Sequence, residues 1–172
     1  LARGLHAHKG INAASALPMN GRRADYYQQA MRSAHGLFGD LYALRGEFLA
    51  RMKQGGIRLP DDVIGEDGLI CAMAKTDLAT ESHLIDLRVA VCEGAGFLCA
   101  PVSAISPKSW RMQYHRMINY SVRHYQNAMI SRIMRDTGPK GLPQRLSDIY
   151  RRELPGMQPR ARPELFWFDR LA

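Results

Sequence analysis

Between Pro107 and Gly138 the chain contains neither glycine nor proline. So long a stretch without a breaker predicts one long helix, opened by Pro107 in the first turn, where its missing N–H costs nothing, and running to about Arg135. Trp110, Tyr114, Met117, Ile118, Val122, Tyr125, Met129 and Ile133 recur at helical spacing and form an apolar stripe, read as core or membrane-facing packing. Arg111, His115, Arg116, Arg123, His124 and Arg132 occupy the remaining face. A chain of 172 residues has to wrap one domain around such a rod.

What precedes the long helix alternates between short apolar runs and glycine punctuation. Residues 1–22 have little periodicity and read as loop with at most a short element. A helix is expected from Ala24 to His35, stopped by Gly36, because Tyr27, Ala30, Met31 and Ala34 share a face. Gly39 to Arg45 reads as a strand, Glu47 to Lys53 as a short helix ended by Gly55-Gly56, and Arg58 to Asp62 as an extended loop. Gly65-Glu66-Asp67-Gly68 is a turn. A helix from Leu69 to Lys75 follows, its acidic start suiting the helix dipole. Leu87 to Val91 is a β-branched strand. Beyond Gly138-Pro139 the chain becomes basic and proline-containing, with a short helix expected near Gln144 to Arg152, a linker-like segment from Pro155 to Pro163 and an aromatic cluster, Phe166-Trp167-Phe168.

Charge is distributed unevenly. Residues 1–99 carry 11 Lys/Arg and 11 Asp/Glu, whereas residues 100–172 carry 13 and 5, so the whole net charge of +8 lies in the second part. That asymmetry points to an anionic partner: nucleotide phosphates, an anionic membrane surface or nucleic acid. No run approaches the ~18 apolar residues of a membrane span, and Glu93 and Pro101 interrupt the nearest candidate. Cys71, Cys92 and Cys99 show no paired spacing and read as free thiols of a reducing compartment. No set of metal ligands is read in the chain: there is no Cys-x-x-Cys, and Asp61-Asp62 is an adjacent pair in a loop.

Four features occur in an informative order: Gly39 with Arg45 six residues on, Glu66-Asp67 between glycines, a strand running into the stretch up to Pro101, and Gln113-Tyr114-His115-Arg116 on the basic helix. This order, over roughly residues 24–120, resembles the second half of family 2 type inverting glycosyltransferases, the group that includes cellulose, chitin and hyaluronan synthases. The resemblance implies an α/β chain with a partial GT-A-like fold, in which a few strands are packed by helices and end in the long amphipathic helix and the basic proline-containing tail. It divides the chain into an acceptor-side half of a catalytic domain (1–137) and a C-terminal extension (138–172). Asp67 would be the general base, with Glu66 beside it. Gly39, Asp40 and Arg45 would line the acceptor site. Gln113, His115 and Arg116 would correspond to the family's Gln-x-x-Arg-Trp segment near the diphosphate, with Met117 where the family has tryptophan.

Those residue types suit the chemistry. In a single displacement a carboxylate takes the proton of the acceptor hydroxyl as it attacks the anomeric carbon, and cations offset the charge that develops on the diphosphate. The implied partners are a nucleotide sugar, a sugar or lipid-linked hydroxyl acceptor and an anionic membrane surface reached from the cytoplasmic side. The family's Asp-x-Asp is not in this sequence. A divalent Mg or Mn ion is therefore expected only in a longer enzyme whose donor-binding half precedes these residues, and the chain alone is expected to be inactive. Met117 in place of tryptophan favours a single transfer over processive synthesis. The competing reading is a non-catalytic basic helical module that binds nucleic acid or an anionic membrane surface. Nucleic acid is the less favoured anion, because a pure nucleic-acid binder has no need for an acidic turn between glycines in a charge-balanced region. On the bland reading, Asp67 merely caps a helix and Arg116 and His115 lie on a solvated face.

Overall fold

The computed structural model describes residues 1–100, 105–161 and 167–170. These form a mixed α/β structure in the order α1 (Ala2–His6), β1 (Ala13–Pro18), α2 (Ala24–Ala34), β2 (Tyr42–Leu44), α3 (Gly46–Gln54), α4 (Glu66–Thr76), β3 (Val89–Phe97), α5 (Pro107–Asp136) and α6 (Tyr150–Glu153), joined by loops and 3₁₀ turns. The three strands make one sheet in the order β2-β1-β3. β1 is antiparallel to β2, with Ala13 opposite Leu44 and Ser15 opposite Tyr42, and parallel to β3, with Ala13 opposite Val89 and Pro18 opposite Phe97.

The centre of this sheet falls within residues 1–22, where the sequence led us to expect loop. Every residue of β1 is buried. Ala13, Ala14 and Ala16 have no exposed surface at all, and Gly4 of α1 packs directly over Ala14. The strand carries no β-branched residue because it is covered on both faces at close range, so small side chains fit where large ones would not. Strand β3 also extends past the expected Val91 to Phe97, and residues 86–88 form a 3₁₀ turn before it.

α4 supplies the middle of the core through Leu69, Ile70, Met73 and Ala74, which cluster with Phe48 of α3, Val89 of β3, Ile130 and Met134 of α5, and Leu146. α5 matches its expected span, but its buried face is rotated from the expected stripe. The buried residues are Ser121, Gln126, Met129, Ile130 and Met134, while Trp110 and Tyr114 are 65% and 50% exposed. Polar Gln126 can be buried because each end of its amide is matched. Its Oε1 accepts from the Ile64 N–H at 2.8 Å, and its Nε2 donates to Asp62 O and Tyr150 Oη, each at 2.9 Å.

The segment after α5 folds back on it. Asp62, expected to be a solvated loop residue, accepts from the backbone N–H groups of Leu146 and Ser147 at 2.7 and 2.9 Å. Burial pushes its carboxyl up, but the Ser147 hydroxyl and those N–H groups outweigh burial and leave it below the usual value. Further on, Arg160 grips the buried Asp169 through Nε at 2.8 Å and Nη2 at 2.5 Å, and Tyr125 Oη donates to Asp169 O at 2.9 Å. Residues from 155 to 161 are thus tied to the body by Arg160 rather than lying free of it, and Phe168 is buried. Phe166 and the side chain of Trp167 lie outside the described residues.

Candidate functional site

β1 and β3 run parallel and end side by side at Pro18 and Phe97. In open α/β sheets the crevice beyond the carboxyl ends of parallel strands is where ligands bind. Here that end is closed by Asn20, which receives the Cys99 N–H on Oδ1 at 2.7 Å and donates from Nδ2 to Cys99 O at 3.1 Å. Asp40 reaches the same corner, with Oδ2 3.7 Å from Cys99 Sγ. Burial, then the charge of Asp40, push the Cys99 thiol up, and Arg116 of α5 acts in the opposite sense. Arg116 itself is exposed and donates from Nε to Tyr120 Oη at 2.9 Å.

Asp67 sits in the first turn of α4, after Gly65 in the left-handed conformation (φ 75°). Its Oδ1 accepts from Arg123 Nη2 at 2.9 Å and from the Gly68 N–H at 3.0 Å. Its Oδ2 faces Gly39: a Cβ on that glycine would lie 3.7 Å from it, in ordinary contact. Among the described residues no hydrogen bond is made to Oδ2. One oxygen of the carboxylate is thus held by a guanidinium, and the other opens onto a position with no side chain. Tyr42 flanks the pair: burial, then Glu66 and Asp67, push its phenol up. Glu66 is exposed.

The glycines around the acidic pair serve the arginine. A Cβ on Gly65 would come 2.3 Å from the Arg123 guanidinium carbon, and one on Gly68 would come 3.2 Å from its Nη2. The guanidinium lies over this turn because there is no side chain to keep it away. From the sequence Arg123 was placed only on the face of the helix outside the apolar stripe. Its usable signal was its spacing: it lies seven residues after Arg116 and therefore on the same side of the helix, about 10 Å along its axis.

The expected site residues are only partly brought together. Gly39 faces Asp67, and Asp40 lies 3.7 Å from the Cys99 thiol, on which Arg116 acts only through its charge. Gln113 is half-buried one turn before Arg116. His115 is exposed and edge-on to Tyr114, with ring centres 5.9 Å apart. Among the described residues, neither makes a hydrogen bond to the Asp67 turn. Arg45 is turned to the opposite end of the sheet. β2 runs from the Ser15 level back to the Ala13 level, so Arg45 emerges at the start of β1 and gives its guanidinium to the carbonyls of Ile11, His8 and Leu5. It anchors the segment joining α1 to β1. Among the described residues no three His, Cys, Asp or Glu side chains are grouped to hold a metal ion.

No family model, no curated protein and no solved structure matches this chain.

Proposed function

We propose that the chain is the acceptor-side part of an inverting glycosyltransferase, with Asp67 as the base. The observation that carries this reading is the division of labour on one carboxylate: Oδ1 held by Arg123, Oδ2 turned toward Gly39. The order of motifs that resembles family 2 type enzymes supports the same reading. The acceptor O–H gives its proton to Oδ2 while its oxygen bonds to the anomeric carbon. The bond from that carbon to the diphosphate oxygen breaks, and the nucleoside diphosphate leaves with the electron pair. Asp40 and Glu66, on either side of Gly39 and Asp67, orient the acceptor. Arg116, with His115 and Gln113 on the same helix, meets the charge on the departing diphosphate. The donor's nucleotide is held by a part of the enzyme outside these residues, and no step of this reading passes through a metal held here.

The test uses the natural polypeptide that carries these residues, incubated with a panel of nucleoside-diphosphate sugars and hydroxyl acceptors, with nucleoside diphosphate release and product both measured. Asp67→Asn is expected to abolish transfer while leaving sugar-nucleotide binding within about twofold, because it removes a base and not a donor contact. Full transfer by that variant sinks the assignment of Asp67.

A second reading is favoured by a separate observation. The N-terminal half of α5 leaves Trp110, Met112, Tyr114 and Tyr120 exposed beside Lys108, Arg111 and Arg116. Aromatic and basic side chains together suit an anionic membrane surface, and this is compatible with the transferase reading. Among the described residues no helix is long and apolar enough to cross a membrane.

A further inference from the structure

We propose that Arg123 and Gln126, one turn apart on α5, are positioning residues that fix the Asp67 carboxylate for proton abstraction; the proposal rests on the transferase reading above. The segment from Asp62 to Gly68 is held by α5 at each end. Gln126, only 1% exposed, takes the Ile64 N–H at 2.8 Å and gives a hydrogen bond to Asp62 O at 2.9 Å. Arg123 lies across Gly65 and binds Asp67 Oδ1 at 2.9 Å. The pair is largely screened from solvent, with side chains 29% and 18% exposed for Arg123 and Asp67, so it is held more firmly than a surface ion pair.

The left-handed backbone at Gly65 is the second sign of a built device. A left-handed residue costs free energy unless it is glycine, and glycine alone leaves room for the guanidinium. With Oδ1 held, the carboxyl group cannot rotate, and Oδ2 stays on the side of Gly39. Holding a base in one orientation lowers the barrier to proton transfer without adding to substrate affinity, so its loss should fall on kcat rather than KM. A helix that merely packed there would not give this orientation.

The experiment compares wild type, Arg123→Ala, Arg123→Lys and Gly65→Ala in the natural polypeptide. Arg123→Ala should lower kcat by roughly a hundredfold with KM little changed. Added guanidinium ion should restore part of that loss, and Arg123→Lys should retain more activity than Arg123→Ala. Gly65→Ala should behave like Arg123→Ala, by displacing the guanidinium. In parallel, carbodiimide-driven amine labelling of Asp67, read by peptide mass spectrometry, should rise several-fold in Arg123→Ala and fall again with guanidinium. Thermal melts certify that each variant is folded, and the labelling comparison does not depend on activity. Unchanged Asp67 labelling, or a loss of transfer confined to KM and insensitive to guanidinium, overturns the positioning role alone. A folded wild-type polypeptide that transfers no sugar from any donor overturns the transferase reading and this proposal with it, even if the labelling shows that the clasp exists.

Discussion

At the scale of single residues, access to one oxygen atom decides what Asp67 can do. A methyl group added at Gly39 meets Asp67 Oδ2 at 3.7 Å and its Cβ and Cγ at 3.8 Å, distances of ordinary contact that require nothing to move. Gly39→Ala should therefore fold and melt like wild type while transfer drops at least about tenfold, because the methyl covers the oxygen that has to accept the proton. Melting curves alongside initial rates check this, and an unaltered rate would place the acceptor elsewhere. Asp169 tests a different kind of carboxylate. Arg160 first, and then Ser121 and the Arg160 N–H, hold it well below the usual carboxylate range against the opposing effect of burial. Its folded value is depressed, so its contribution to stability is complete above the unfolded value of about 4 and is lost as pH falls below it. Asp169→Asn should cost about 1–3 kcal/mol near neutral pH by removing the charge-assisted hydrogen bonds from Arg160. The difference from wild type should shrink below about pH 4 in chemical denaturation.

At the scale of elements, what could be read in the sequence depended on whether a residue's type announced its surroundings. The helices from Ala24, Glu47 and Pro107 were legible because their spacing and breakers are local signals, and they occur within a residue or two of expectation. The acidic start of α4 was legible too, but Glu66 to Gly68 form the first turn of that helix instead of a separate turn before Leu69. β1 was not, since Ala-Ala-Ser-Ala-Leu-Pro carries no strand signal and its identity is set by α1 and the flanking strands closing over it. Arg123 was not, since nothing local distinguishes an arginine lying over a distant glycine from one in solvent. The stripe on α5 failed in its first half because apolar spacing shows which residues could be buried, and only the half past Tyr120 has the core to pack on. If close packing is why β1 is small, enlarging it should be costly. Ala14→Leu, beneath Gly4, should lose about 1–3 kcal/mol through overpacking, whereas a polar change at the exposed Lys9 should lose almost none. Urea denaturation of the two variants checks this, and equal stabilities would sink the account.

At the scale of the whole molecule, part of the basic excess of residues 100–172, Lys108, Arg111 and Arg116, lies on the exposed N-terminal half of α5. Arg111 and Arg116 lie beside the exposed Trp110 and Tyr114, while Arg132 pairs with Glu153 and Arg160 with Asp169. The purified chain should sediment with vesicles containing anionic lipid at low salt, release as ionic strength rises, and ignore neutral vesicles. Retention on anionic vesicles that is indifferent to salt, or equal binding to neutral ones, would count against an electrostatic surface.

α5 is also a ruler. Thirteen residues separate Trp110 from Arg123, about 20 Å along a helix axis. Trp110 is exposed near its start, while Arg123, at its middle, grips the turn that holds Asp67. The rigid rod therefore fixes a standoff: whatever lies against Trp110, a hydroxyl must be offered some 20 Å along the helix from it to meet the carboxylate. That length selects among acceptors by reach before any chemistry begins.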